Sequence, residues 1–270
     1  MQAAEAILTV ANAKMAGAIR VVSIERGHDP RQFAYMPFGG GGGLHVCAMM
    51  REVGVTTGIV PRYPGVTSAL GCVMADMRHD AVQTLNQSLH QLDVAQLKQH
   101  VQEMAQACRQ RLDSAGVPFE SVQEVVALDM LYMGQTHTLQ VTLPPGDITR
   151  ELIQSAFESA YTASFGRVLH GLVIRVMNLR YALIGVRPKL NLSVLAPTGP
   201  GSTQPVGVQR VYHAGAWCEA SRYARLALPV GAVIQGPAIL EQVDTTVWLE
   251  PGFGARVDAL GNLLVERIPV

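Results

Sequence analysis

Five consecutive glycines, Gly39–Gly43, interrupt this 270-residue chain. Glycine loses more conformational freedom on ordering than any other residue, so such a run does not continue a helix or a strand. It is a loop, and its backbone is free to come close to something. The run Phe33–Phe38 before it reads as a short strand. Leu44–Val53 after it reads as a helix, with Gly54 placed as its C-cap glycine. A glycine loop opening a helix gathers free N–H groups and a partial positive charge, which suits a phosphate or the face of a nucleotide. It is not a GxxxxGK[ST] loop, because Leu44-His45 stands where Lys-Ser/Thr is needed. GxGxxG also fits poorly, since no acidic residue follows a second strand at the usual distance. Two readings stay open: nucleotide contact, or a tight turn that lets helix and strand pack closely.

The segments around the loop supply its context. In residues 3–24, Ile7, Val10, Ala11, Met15, Ala18, Ile19 and Val22 recur at helical steps. Thr57–Val60 reads as a second strand and Val66–Met77 as a third helix, so residues 1–80 alternate helix and strand. The polar stretch Gln83–Leu92 reads as a linker or domain edge. Asp93 is placed to cap a helix running to about Ser114. Val122–Tyr132 and Thr136–Leu143 read as paired strands, 150–164 as a helix and Leu172–Gly185 as a long strand. APTGPGSTQP, residues 196–205, is a flexible loop, and from 207 onward short strands alternate with turns. The predicted map is an α/β part, residues 1–84, then a strand-rich α+β part, residues 85–270, with the portion beyond about 90 folding separately.

Charge narrows the function. Lys+Arg and Asp+Glu both number 21, so the formal net charge is zero; a general nucleic-acid binder normally carries a basic excess. Charged residues are 16%, against about 25% in an ordinary soluble domain. Either another chain covers part of the surface or the core is large. The sequence shows no run of about 20 apolar residues and no secretory pattern at its start, so neither a membrane span nor export is expected, and the cytoplasm is the expected compartment. Cys47, Cys72, Cys108 and Cys218 form no CxxC pair.

Phe38-Gly39-Gly40-Gly41-Gly42-Gly43-Leu44-His45 resembles the F-G-G-A-G-P-L-H segment of the hydantoinase A/5-oxoprolinase family, which also holds subunits of acetone and acetophenone carboxylases. The resemblance runs along nearly the whole chain. It takes in Asn12-Ala13-Lys14-Met15, Glu25-Arg26-Gly27-His28-Asp29-Pro30-Arg31, Pro64-Gly65-Val66-Thr67-Ser68-Ala69-Leu70-Gly71, Ala75-Asp76-Met77-Arg78-His79-Asp80 and Tyr132-Met133-Gly134-Gln135. Near the end it includes Gly236-Pro237-Ala238-Ile239, Asp244-Thr245-Thr246 and Gly261-Asn262-Leu263.

The resemblance implies that residues 1–84 are the last segment of an actin/Hsp70/sugar-kinase-like ATPase lobe, and that 85–270 are the family's C-terminal domain. It implies ATP as cofactor, with Gly39, Gly40, Gly41, Gly42, Gly43 and His45 on the adenosine side. Mg²⁺ would be held by residues outside this chain, whose sequence has no Asp-Gly-Gly-Thr phosphate loop. The implied partners are an N-terminal ATPase lobe and a hydantoinase B-like subunit. The implied substrate is a small cyclic amide such as a hydantoin, N-methylhydantoin or 5-oxoproline, opened through a phosphorylated intermediate. The chain is then a C-terminal portion, inactive alone. A carboxylase-type subunit and a non-catalytic docking module are the alternatives. Two departures stand out. Gly41 replaces Ala. Gly43 replaces Pro, and Gly43→Pro is expected to be neutral or slightly stabilising, by roughly 0.4–1 kcal/mol where the local φ is compatible.

The remaining candidates are less specific. His45 could meet a ligand or be a packed imidazole. Asp76, Arg78, His79 and Asp80 could pair a carboxylate with histidine or form an ion-paired terminus. His28-Asp29-Pro30 could do the same or form an Asx turn. Asp244-Thr245-Thr246 reads as a hairpin turn. His90, His100, His137, His170 and His213 have no metal-ligand spacing, and no catalytic residue is assigned.

Overall fold

A computed structural model describes residues 1–268. Its helix and sheet content is mixed, as the alternating pattern predicts. The chain forms two compact units, Met1–Val73 with Leu190–Val270, and Met74–Lys189. The first is discontinuous, so the units do not follow one cut at 84/85. The expectation that everything beyond about 90 folds separately is corrected. The tail shares a core with residues 16–60, in which Ala16, Val46, Met49, Met50 and Val60 pack with Ile234, Leu240, Val247, Leu249 and Val265.

In the first unit, α1 (Gln2–Ser23) precedes the glycine loop and α2 (Val46–Val53) follows it. α2 ends on Gly54 at φ +84, whose N–H donates to Met50 O, so the C-cap expectation holds. Phe33–Phe38 is not a strand. It makes a single parallel bridge, Tyr35 to Gly58, and Pro37 inside the stretch has no N–H to donate to a ladder. β1 (Thr57–Val60) pairs antiparallel with β12 (Leu263–Arg267). β12 continues to β11 (Phe253–Val257), which pairs with β8 (Val233–Gln235). A second sheet has the order β10 (Thr245–Leu249), β9 (Ala238–Gln242), β7 (Ala216–Ala224), β6 (Gly207–His213). α3 (Thr67–Met74) is shorter than the predicted helix.

α1 buries only Ala16 and exposes Ile7, Leu8, Val10, Val21 and Val22. Gln2–Arg26 is long and apolar enough by length and composition to cross a membrane, with mean hydropathy 1.4 over 18 residues. This corrects the expectation that no such stretch exists: alanines and valines keep the hydropathy high between widely spaced charges. Polar bonds nevertheless tie α1 to the protein. Arg20 donates to Glu52 O, and Asn12 meets His45.

The second unit is a sheet of order β2 (Met77–Ser88), β5 (Ile174–Val186), β3 (Ser121–Tyr132), β4 (Leu139–Thr142). α4 (Val94–Ser114) and α5 (Arg150–Phe165) bury Leu97, Leu112, Ile153 and Phe157 against it. Asp93 caps α4 by accepting from Ala95 and Gln96 N–H, and Thr149 caps α5. The predicted linker is corrected: residues 83–88 lie in β2, with Ala81 and Leu85 against the core.

Candidate functional site

Each glycine of the loop has its own reason. Gly39 sits at φ +82, and its N–H donates to Pro64 O at 2.7 Å. Gly40 O accepts from Thr245 Oγ1 at 3.0 Å, and a Cβ on Gly40 would lie 3.2 Å from Asp244 O. A Cβ on Gly42 would meet Pro37 at 3.3 Å. On Gly43 it would lie 2.8 Å from Thr246 O and 2.9 Å from Val247 Cγ2. These three contacts are close packing against the β9–β10 hairpin and the chain before the loop.

Gly41 differs. A Cβ there meets nothing within 4 Å, and its φ of −97 suits any residue. Among the described residues, the N–H groups of Gly40 and Gly41 meet no backbone acceptor. The loop is therefore both a packed turn and, at Gly41, an open backbone that a ligand can approach. The expectation for Gly43→Pro is corrected, because a proline brings the same Cβ into β10.

Asp244 locks this geometry from the hairpin turn. Its Oδ2 accepts from Gly65 N–H at 3.0 Å and its Oδ1 from the Gln242 side chain. Arg225, buried, donates to Val60 O at 3.0 Å, to Pro61 O and to Gln242 Oε1 at 2.7 Å. Burial pushes its guanidinium down to about 10, opposed by nearby Asp244.

His45 ends the loop and precedes α2. Its Nδ1 lies 2.7 Å from Asn12 Oδ1; as that oxygen only accepts, Nδ1 carries the hydrogen. His45 lines a cavity of about 460 Å³ between α1, α2, β6 and β10, together with Leu8, Arg51, His213, Trp248 and Glu250. Glu250 is 5% exposed and paired with Arg51, with His213 Nε2 at 3.7 Å. The nearby Cys47 is no nucleophile: burial pushes its thiol up to about 12. Sequence reasoning missed Arg51 and Glu250, which are 199 positions apart, and left His213 among scattered histidines. The only signal was Asn12, inside a run that carried the resemblance.

The other candidates resolve into ordinary contacts. Asp29 accepts from Arg31 N–H at 3.0 Å, an Asx turn. Asp80 pairs with Arg78 at 2.8 Å, and Asp76 takes Arg187 N–H at 3.0 Å and Lys189 Nζ at 3.1 Å. No carboxylate–histidine pair forms there. Among the described residues no three His, Cys, Asp or Glu side chains are grouped to hold a metal.

Residues 1–81 match Hydantoinase/oxoprolinase, and residues 85–265 match the Hydantoinase/oxoprolinase C-terminal domain. An uncharacterized protein of Methanocaldococcus jannaschii is 31% identical over 97% of this chain and 37% of its own length. Caprolactamase subunit alpha of Pseudomonas jessenii is 28% identical over 95% of this chain and 38% of its own. The crystal structure of ATP-dependent caprolactamase from the same organism superposes with a TM-score of 0.73 at 26% identity, over 98% of this chain and 40% of that one. The chain thus spans about two-fifths of the length of these relatives. The profile matches follow one another in order along almost all of the described chain, and on that ground it belongs to the hydantoinase/oxoprolinase family.

Proposed function

We propose that this chain is the C-terminal part of an ATP-dependent hydrolase that opens a small cyclic amide, and that its glycine loop forms the adenosine-side wall of the nucleotide site. The open backbone at Gly41 carries this reading. Packing accounts for Gly40, Gly42 and Gly43, but not for a glycine with free space above it and N–H groups without backbone acceptors. Gly39–Gly43 border the nucleotide and His45 stands at the end of that wall.

ATP, when bound, would supply the phosphoryl group that activates the amide oxygen and makes the ring carbon electrophilic. The residues of this chain contribute positioning and exclusion of water. Mg²⁺ ligands and phosphate loops come from an N-terminal ATPase lobe, and a hydantoinase B-like subunit completes the assembly in the cytoplasm. The exposed apolar side of α1 suits a protein neighbour. The relative named a caprolactamase subunit supports a ring amide as substrate.

The test is nucleotide kinetics in the reconstituted assembly. Gly41→Val raises the ATP KM with a smaller effect on the amide KM, because uniform nucleotide binding is lost. An unchanged ATP KM in a folded Gly41→Val protein removes the assignment. The 270-residue chain alone turns over no ATP, and steady Mg²⁺-dependent turnover by it would contradict the division of labour.

A further inference from the structure

Gly39–Gly42 form a tight turn, closed by Gly42 N–H donating to Gly39 O at 3.4 Å. Gly41 occupies its third position at φ −97 and ψ −13, as in a type I turn. The peptide joining Gly40 to Gly41 is the one that such a turn can invert. Inversion makes the turn type II, with φ of about +80 at its third residue. Glycine adopts that value freely, and a residue with a Cβ resists it. Neither Gly40 nor Gly41 has a side chain to oppose inversion, so the peptide needs a hold from elsewhere.

Thr245 supplies it. The residue opens β10 at 5% exposure, and its Oγ1 donates to Gly40 O at 3.0 Å. Among the described residues no other side chain bonds this peptide. The peptide is trans, so its C=O and N–H point in opposite directions. Holding the Gly40 carbonyl against the hairpin therefore turns the Gly41 N–H away from the hairpin, and that N–H meets no backbone acceptor. The frame around the peptide is fixed. Gly39 N–H donates to Pro64 O at 2.7 Å, and Leu44 N–H to Gly41 O at 3.1 Å. Asp244 ties the hairpin to the next turn so closely that a Cβ on Gly65 would lie 2.5 Å from its Oδ2. The freedom left in the loop is the orientation of this one peptide.

We propose that Thr245 is a positioning residue of the nucleotide site: by holding the Gly40 carbonyl it keeps the Gly41 N–H turned toward a ring-nitrogen or ribose-oxygen acceptor of the adenosine. The proposal rests on the reading of the loop as the adenosine-side wall, and it names the side chain that sets the orientation of that wall.

The orientation is read in the 270-residue chain labelled with ¹³C,¹⁵N-glycine. A strong nuclear Overhauser effect from Gly40 Hα to the Gly41 amide hydrogen marks the inverted peptide. The expected result is a weak effect in the wild type and in Thr245→Ser, which keeps the hydroxyl, and a strong one in Thr245→Val. Adding Gly41→Ala to Thr245→Val makes it weak again, because a Cβ resists the positive φ. Tryptophan fluorescence confirms that each variant is folded. A weak effect in Thr245→Val, or a strong one that persists with Gly41→Ala, overturns the proposal. So does failure of both Thr245→Val and Thr245→Ala to fold, which makes the hydroxyl a structural group only. In the reconstituted assembly Thr245→Val raises the ATP KM about three- to tenfold, the worth of one hydrogen bond, with kcat unchanged. Thr245→Ser restores the KM, and the rise shrinks in a Gly41→Ala background. An unchanged ATP KM in Thr245→Val, where Gly41→Val raises it, refutes the role of Thr245 alone. An unchanged ATP KM in both variants removes the nucleotide reading, and this role with it.

Discussion

Gly43→Ala adds one methyl group where the loop meets β10. Its Cβ would lie 2.8 Å from Thr246 O, 2.9 Å from Val247 Cγ2 and 3.2 Å from Val247 Cα. Two of these atoms are backbone, so the strand itself must give way by several tenths of an ångström. Overpacking of this kind costs about 1–3 kcal/mol. With a urea m-value of about 2 kcal/mol/M, the midpoint falls by about 0.5–1.5 M. Gly41→Ala is the matched control. Its methyl enters open space at a permitted φ, so it leaves stability unchanged or raises it by about 0.4–1 kcal/mol through the unfolded chain. The assay is selective, because both tryptophans, Trp217 and Trp248, lie in the first unit. Their fluorescence follows that unit alone. A wild-type midpoint for Gly43→Ala, or an equal loss for Gly41→Ala, would refute the packing argument. Gly43→Pro is expected to lose at least as much as Gly43→Ala.

Arg51→Ala strands the buried Glu250 carboxylate beside His213. It should cost about 1–3 kcal/mol in the same tryptophan-monitored unfolding, and no loss would show that the pair contributes nothing. Gln135→Ala removes the acceptor of Tyr132 N–H and the donor to Tyr161 Oη; a loss of about 1–3 kcal/mol should appear in the second unit, by far-UV circular dichroism but not by tryptophan fluorescence. Burial pushes the Asp129 carboxyl up, but hydrogen bonds from Arg180 and Asn178 outweigh it and hold it below its ordinary value. Its contribution is therefore full above about pH 4 and is lost as pH falls further. Asp129→Asn should flatten the acid side of the second unit's stability profile, and an unchanged slope would count against this. Limited proteolysis should cut first within 198–206, which is exposed and without regular structure, whereas first cuts at 83–88 would contradict β2.

Local signals in the sequence were strong where one residue does one job. Asp93 as a cap, Gly54 as a C-cap and Thr57–Val60 as a strand are visible because side-chain chemistry at short range dictates them. The stretch 83–88 was misread because β2 presents Thr84 to solvent and packs Leu85 inward, and Gln83 spends its amide on His100 at 3.2 Å. A strand with so few apolar residues looks like a linker until its partner β5 is known. In β7, Glu219, Ser221 and Arg222 hide the alternation of a strand. The glycine loop was legible as a loop, but which glycine is open and which is packed depends on a hairpin some 200 residues away. The pairing of Arg51 with Glu250 is invisible for the same reason: no spacing rule links positions joined only by the return of the chain.

That return also sets a timetable. Arg62 N–H bonds Asn262, 200 positions later, and β1 has no antiparallel partner until β12 exists. At ribosomal speeds of about 5–20 residues per second, the first segment waits roughly 10–40 s for its other half. Residues Met74–Lys189 are contiguous and form their own core, so they are positioned to fold during that interval. The nascent 1–73 segment meanwhile holds Val46, Met49, Met50 and Val60 uncovered by the tail. It is the stretch of this protein that a chaperone would be expected to hold during synthesis, and the point at which a stalled ribosome would leave the most adhesive intermediate.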